Sequence, residues 1–256
     1  MNESTDHKNI QVYRRKNRIA LVILCLFLCA CAWTIYAVNH AASEEGVPRP
    51  LRAALKFTDK VCGYFFSTNR LTPVYTTAEA TKRPRVNGDI GFTDRVSDLN
   101  WKIYIGNEYG KFDTTHFITL DAIKLLPKQD VIFGFKCVEG WSQITWWSGA
   151  SVATILKQFK LGKKANGEWY KYMALETPDS RYYVGIDIAS ALQEQTIFAY
   201  QVSGTNLPKS QGAPVRLIIP VKYGIKHLKR IGKIYFTDNP PRDYWAERGY
   251  DYFAGL

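Results

Sequence analysis

The sequence predicts an α+β domain, rich in strand, behind a single N-terminal transmembrane helix. Three observations predict it: an uncharged apolar run at residues 19–38, a body built mostly of short alternating segments, and few stretches with helical spacing.

The run from Ile19 to Val38, IALVILCLFLCACAWTIYAV, is about as long as a helix must be to cross a bilayer. Arg14, Arg15, Lys16 and Arg18 precede it. The positive-inside bias therefore makes residues 1–18 a basic cytoplasmic tail, 19–38 the span, and everything after residue 40 exported. Trp33 and Tyr36 suit the far interface. Two processing alternatives compete with a permanent anchor: a lipoprotein-type site at Leu28 to Cys31 and a signal-peptidase site at Ala41 and Ala42. The anchor is favoured because the apolar run continues past Cys31.

Residues 39–82 form a linker and N-terminal extension. Ala41 to Pro50 has the Ser, Gly and Pro of a turn-rich linker. Leu51 to Phe66 forms a helix that either packs on the domain or lies at the membrane surface. Residues 83–256 then make one domain, long enough to bury a real core. Alternation predicts strands at Trp101 to Ile105, Val131 to Cys137, Tyr182 to Ile188, Val215 to Pro220 and Lys233 to Thr237. Leu120 to Leu126 is a short helix stopped by Pro127. Ser151 to Phe159 places Val152, Ile155, Leu156 and Phe159 on one face before Gly162 closes it. Functional groups are expected on loops.

Of five cysteines, three lie in the span, leaving Cys62 and Cys137. No disulfide framework follows, although one Cys62–Cys137 bridge in an oxidising compartment would cancel any metal role for Cys137. The four histidines show no zinc or haem spacing. The formal net charge is +11, mostly outside the short tail. Lipid headgroups, an oxyanion substrate or a phosphorylated cofactor fit that charge; nucleic acid does not fit an exported domain.

Three strings carry the chemistry. In FKCVEGWSQITWWSG, Cys137 ends an apolar strand, Gly140 permits a sharp turn, and Trp141, Trp146 and Trp147 can wall a cleft; a buried structural cysteine in a tryptophan-rich core is the plain alternative. In QGAPVR, Gly212 permits close backbone approach and Arg216 can fork onto an oxyanion. From Lys222 to Lys233 five cations, Lys222, Lys226, Lys229, Arg230 and Lys233, surround His227, a density that calls for a bound anion or for water.

Together with the ending FTDNPPRDYWAERGY, these strings resemble the molybdopterin-binding domain of the sulfite oxidase family, nearest its small bacterial periplasmic (MsrP-like) catalytic subunits, over roughly residues 83 to 250. The resemblance implies a sulfite-oxidase-type fold and Mo-molybdopterin as cofactor. It implies that Cys137 is the metal ligand and catalytic residue. It also implies pterin or phosphate contacts from Thr177, Gln211, Arg216, Lys226, His227, Leu228 and Lys229. Gln211 and His227 depart from the residues common in relatives, and NRLTPVYTT at 69–77 lacks a recognisable pterin-contacting stretch. The expected reaction is oxygen-atom transfer on a small, sulfur-containing substrate. Electrons would be exchanged with a separate haem-containing membrane or soluble partner by a monomeric catalytic subunit, anchored in the inner membrane and facing the periplasm. Trp141, Trp146, Trp147 and Tyr223 are candidate walls, and Tyr200 and His227 candidate proton donors. The competing reading is a non-catalytic, membrane-anchored binding or assembly domain.

Overall fold

The computed structural model describes residues 3–44, 46–67, 69, 71–93 and 96–256. The chain divides into two units, one ending at Phe57 and one beginning at Thr58. In the first, α1 (Glu3–His40) carries the predicted span inside a longer helix, so the basic residues 14–18 are helical too. Its stretch Tyr13–His40 is long and apolar enough to cross a membrane. The turn-rich linker becomes a minimal antiparallel hairpin, β1 (Ser43–Glu44) and β2 (Val47–Pro48), with Gly46 at φ 76° in its loop. Then α2 (Arg49–Phe65) begins and continues into the second unit.

The second unit holds two five-stranded sheets. Its elements in order are β3 (Lys102–Gly106), β4 (Phe112–Thr119), α3 (Leu120–Lys124), β5 (Lys128–Lys136), β6 (Ser142–Ser151), α4 (Val152–Gln158), β7 (Tyr172–Glu176), β8 (Tyr183–Asp187), α5 (Ile188–Ala191), β9 (Ile197–Val202), β10 (Thr205–Asn206), β11 (Arg216–Ile218) and β12 (Lys233–Thr237). One sheet runs β10-β9-β6-β5 with β11 also on β9; the other runs β4-β3-β12-β7-β8. Among the described residues only the β3–β12 pair is parallel, with Lys233 opposite Tyr104.

The main core lies between the sheets. Ile103, Met173, Leu175, Ile186 and Ile234 of one sheet meet Ala150, Phe198 and Leu217 of the other, with Ile155 and Leu156 of α4 added. Successive residues of a strand point to opposite faces. So β9 sends Phe198 and Tyr200 into this core while Ile197 and Ala199 join Phe133, Trp147 and Ile218 in a second cluster behind the sheet. Helices α3 and α4 are capped as their sequences demand: the Thr119 and Ser151 hydroxyls accept from the backbone N–H groups of Ala122 and Thr154. Helix α4 ends where expected, with Phe159 as its C-cap, but the left-handed residue that follows is Lys160 at φ 53°, two positions ahead of Gly162.

Candidate active site

The β5–β6 hairpin fixes the central thiol. Cys137 follows β5 directly; its N–H donates to the Trp141 carbonyl at 3.0 Å, and Gly140 N–H donates back to the Cys137 carbonyl at 3.0 Å. Gly140 makes the reversal at φ 88°. The side chain is therefore held by a closed turn, buried at 6% exposure, at the wall of a cavity of about 380 Å³. Cys62 is exposed and both thiols are free, so the bridge that would have cancelled a metal role does not form.

Asn87 reaches this thiol from a remote part of the chain. Its Nδ2 donates to Cys137 Sγ at 3.8 Å and to Glu139 Oε1 at 3.2 Å. Trp141 Nε1 donates to the other Glu139 oxygen at 2.9 Å. These two donors, Trp141 first, hold the Glu139 carboxyl below its ordinary range. At the exposed rim the Arg85 guanidinium lies 4.8 Å over the Trp141 ring and 3.9 Å from Glu139.

Besides Arg85 at the rim, two cations share the cavity. The expected fork of Arg216 is largely spent on its own chain: Nη1 donates to the carbonyl and side-chain oxygens of Gln211 at 3.1 and 3.0 Å, and Nη2 to the His227 carbonyl at 3.3 Å. Its Nε is buried with no partner. Burial pulls Arg216 down to about 9. Lys229 donates to the carbonyls of Asn87, Gly88 and Ser210 at 2.7, 2.8 and 3.2 Å. Burial, with the charge of Arg216 adding to it, pulls Lys229 down to about 7. Among the described residues neither cation has a carboxylate within ion-pair distance. Gly212, at φ 97°, makes the approach possible: a Cβ there would stand 2.6 Å from that of Lys229.

Of the expected site residues, Cys137, Gln211, Arg216, His227 and Lys229 line the cavity. Thr177, Lys226 and Leu228 do not. Thr177 donates to Asp179 at 2.6 Å beneath Gly91. Lys226 is buried in an ion pair with Asp243, and Leu228 lies in the main core. Trp141 and Trp147 are walls; Trp146, on the opposite face of β6 from Trp147, covers Gly204, and Tyr223 is not in the lining. Neither candidate proton donor keeps that role. Tyr200 belongs to the main core. His227 has Nδ1 accepting from Ile219 N–H at 3.5 Å and Nε2 facing the Lys222 carbonyl at 3.2 Å. Burial, then Arg216, pulls it down to about 3, so it is neutral.

Sequence reading missed Arg85, Asn87, Tyr182, Trp245 and Tyr250, all of which line the cavity. The Asn87-Gly88 dipeptide, a turn signal, was the one available clue. Tyr182 donates to the Ile225 carbonyl at 2.5 Å, and burial pushes its phenol up.

These residues fit a pterin-held metal. Among the described residues no three His, Cys, Asp or Glu side chains cluster for a metal. One soft thiol would need its further ligands from a cofactor. Buried Arg216, with its orphaned Nε, and half-buried Lys229, neither ion-paired to a carboxylate among the described residues, suit that cofactor's phosphate.

Comparisons with known sequences agree. The family model described as oxidoreductase molybdopterin binding domain matches residues 91–245. The provisionally named protein-methionine-sulfoxide reductase subunit YedZ1 of Azospira oryzae is 33% identical over 212 residues, 83% of this chain and 78% of that protein. The protein-methionine-sulfoxide reductase catalytic subunit MsrP of Burkholderia mallei is 32% identical over 152 residues, 54% of this chain and 45% of the relative. The chain spans about half the length of several MsrP subunits that it matches. A solved sulfane dehydrogenase, SoxCD of Paracoccus pantotrophus, overlaps 57% of this chain and 40% of its own at 15% identity and a TM-score of 0.46.

Proposed function

The chain belongs to the oxidoreductase molybdopterin binding domain family, and from that premise we propose that it removes the oxygen atom from a sulfoxide, with protein-borne methionine sulfoxide as the first candidate. It is a molybdopterin-dependent enzyme of the sulfite oxidase family with Mo-molybdopterin as cofactor, which sets aside the binding-module alternative. The substrate follows the names of the relatives. The electron donor in this reading is a separate haem-bearing partner. With α1 as a single-pass anchor in the inner membrane, the catalytic domain, residues 83–256, faces the periplasm.

When bound, molybdenum in molybdopterin supplies a two-electron couple suited to oxygen-atom transfer. The protein supplies the rest. Cys137 would ligate the metal as a thiolate, a soft anionic donor that stays deprotonated on a metal. Asn87, donating to Sγ, would orient that thiolate. Lys229 and the Arg216 Nε would hold the phosphate, with Gln211 bracing Arg216 and tying it to the Pro84 carbonyl at 3.0 Å. Thr177, Lys226 and Leu228 would support this pocket from behind.

Phe135 and Trp141 stack at 5.9 Å and 17°, and with Trp245 and Tyr250 they offer aromatic faces to a methyl thioether. Arg85, exposed at the rim, can donate to the sulfoxide oxygen. The reaction consumes two electrons and two protons and yields thioether and water. Neither His227 nor Tyr182 can supply the protons, because the first is neutral and the second is held protonated. Solvent at the rim, beside the exposed Arg85 and Glu139, is the remaining source.

One observation carries this reading: a free buried thiol shares a cavity with two cations, Arg216 and Lys229, that have no carboxylate within ion-pair distance among the described residues. The test is metal and pterin analysis of the purified full-length chain and of Cys137→Ser, with dye-driven assays on methionine sulfoxide and sulfite. Wild type should hold about one molybdenum per chain and reduce the sulfoxide; Cys137→Ser should lose activity and most of its metal while keeping wild-type circular dichroism. Equal metal in both proteins would refute the ligand role. Turnover of sulfite alone would refute the substrate.

A further inference from the structure

We propose that α2 is a second membrane contact, a surface helix whose apolar face lies in the headgroup layer of the bilayer that α1 enters. The inference rests on α1 as the span and is independent of the sulfoxide chemistry.

At about 100° per residue, Phe57, Val61, Tyr64 and Phe65 fall within roughly a 100° arc of α2. They are 68%, 41%, 83% and 74% exposed. Arg49, Lys56 and Lys60, all exposed, flank that arc on one side. The opposite side is the one that turns inward. There Asp59 meets Asp251, and the adjoining Phe66 packs edge-on against Phe253 at 6.4 Å between ring centres. The large apolar side chains are therefore the face the catalytic unit leaves uncovered. Large apolar residues on one face and cations beside them are the composition of helices that lie in a bilayer interface.

Two features favour lipid over a protein as the occupant. The step from His40, the last residue of α1, to Arg49, the first of α2, is nine residues. It reaches at most about 30 Å even if fully extended, and the β1–β2 hairpin folds it back on itself. The face is thus tethered close to wherever the span leaves the membrane. The side chains flanking it on α2 are cations, complementary to anionic headgroups; Lys56 is paired with Glu44 of the hairpin, which leaves Arg49 and Lys60 to face the lipid.

The test uses the full-length, molybdenum-loaded chain in lipid nanodiscs with and without anionic lipid. Cys25, Cys29, Cys31 and Cys62 are replaced by Ser, and single nitroxide labels are placed by Lys56→Cys, Phe57→Cys, Lys60→Cys, Val61→Cys, Tyr64→Cys or Phe65→Cys. Collision with lipid-soluble oxygen should exceed collision with a water-soluble nickel complex at 57, 61, 64 and 65. The order should reverse at 56 and 60, and anionic lipid should sharpen the contrast. Nickel accessibility at all six positions would overturn the proposal. So would labels at 64 and 65 that become shielded only when a partner protein is added, which would make the face a protein-docking surface. A Phe57→Ser/Tyr64→Ser/Phe65→Ser variant should lose the pattern while keeping dye-driven activity, because none of these residues touches the cavity.

Discussion

Lys226 and Lys229 stand three residues apart, and the fold sends their ammonium groups to different places. The segment turns through a 3-10 helix over Gly224–Lys226 before the chain reaches β12. Lys226 goes inward to Asp243, with both partners nearly inaccessible, and Lys229 goes to the cavity. Replacing one partner of a buried ion pair leaves the other charge uncompensated, typically a loss of about 3–5 kcal/mol. Lys226→Met should therefore lower stability by that order in urea unfolding. Lys229→Met should leave the apo protein close to wild type yet sharply reduce bound pterin, measured by fluorescence of the extracted, oxidised cofactor. If Lys226→Met instead spared stability and lost pterin, the two assignments would be exchanged. The string KHLK could not separate these residues, because which way a turn side chain points is set by its neighbours in space. Cys137 was legible since a strand, a glycine and an aromatic cluster converge on it in sequence. Asn87 and Tyr182 were not, since their partners are 50 and 43 residues away.

Elements were readable where burial is one-sided or a boundary residue is explicit. The strand at Lys233 to Thr237 alternates, and α3 and α4 begin at capping hydroxyls. β6 and β9 escaped the sequence reading for opposite reasons. WWSG looked like a cleft wall, though its two indoles point to opposite faces of a strand; IFAYQV is buried on both faces, so alternation is erased. The short extension helix was legible, but not its inward acid. Burial first, then the hydrogen bond and charge of Asp251, hold the Asp59 carboxyl up to about 7, against the opposing Phe253 N–H and Lys222 ammonium; Tyr172 also faces it. A carboxyl raised in the folded state favours folding at low pH, and that contribution is lost as pH climbs from the ordinary 3.8 through about 7. Wild type should thus lose melting temperature across that window relative to Asp59→Asn, and should be less stable than the variant at pH 8. Parallel curves would show that the Asp59 carboxyl is not raised in the folded chain.

Across the whole molecule, folding without the cofactor brings Arg216 and Lys229 into one cavity where, among the described residues, no carboxylate comes within ion-pair distance of either, and only the more distant charge of Asp89 acts on Lys229. That arrangement makes cofactor occupancy a stability variable with a definite pH signature. Lys229 falls from 10.5 to about 7 in the folded chain, and Arg216 from 12.5 to about 9. Between pH 7 and about 10 the unfolded chain still binds protons that the folded chain has released, so apo-protein stability rises with pH. Lys222, pulled down to about 8 by burial, contributes in the same direction whether or not cofactor is present. A bound phosphate restores the proton on Lys229, removes that group's share of the slope, and adds its own binding free energy. The melting temperature of the molybdopterin-loaded protein should therefore exceed that of the apo form most at pH 6 to 7, and the gap should narrow by pH 9.5. In Lys229→Met the apo slope should flatten over the same range. A gap that stays constant from pH 6 to 9.5 would mean that these cations do not bear the cofactor's charge.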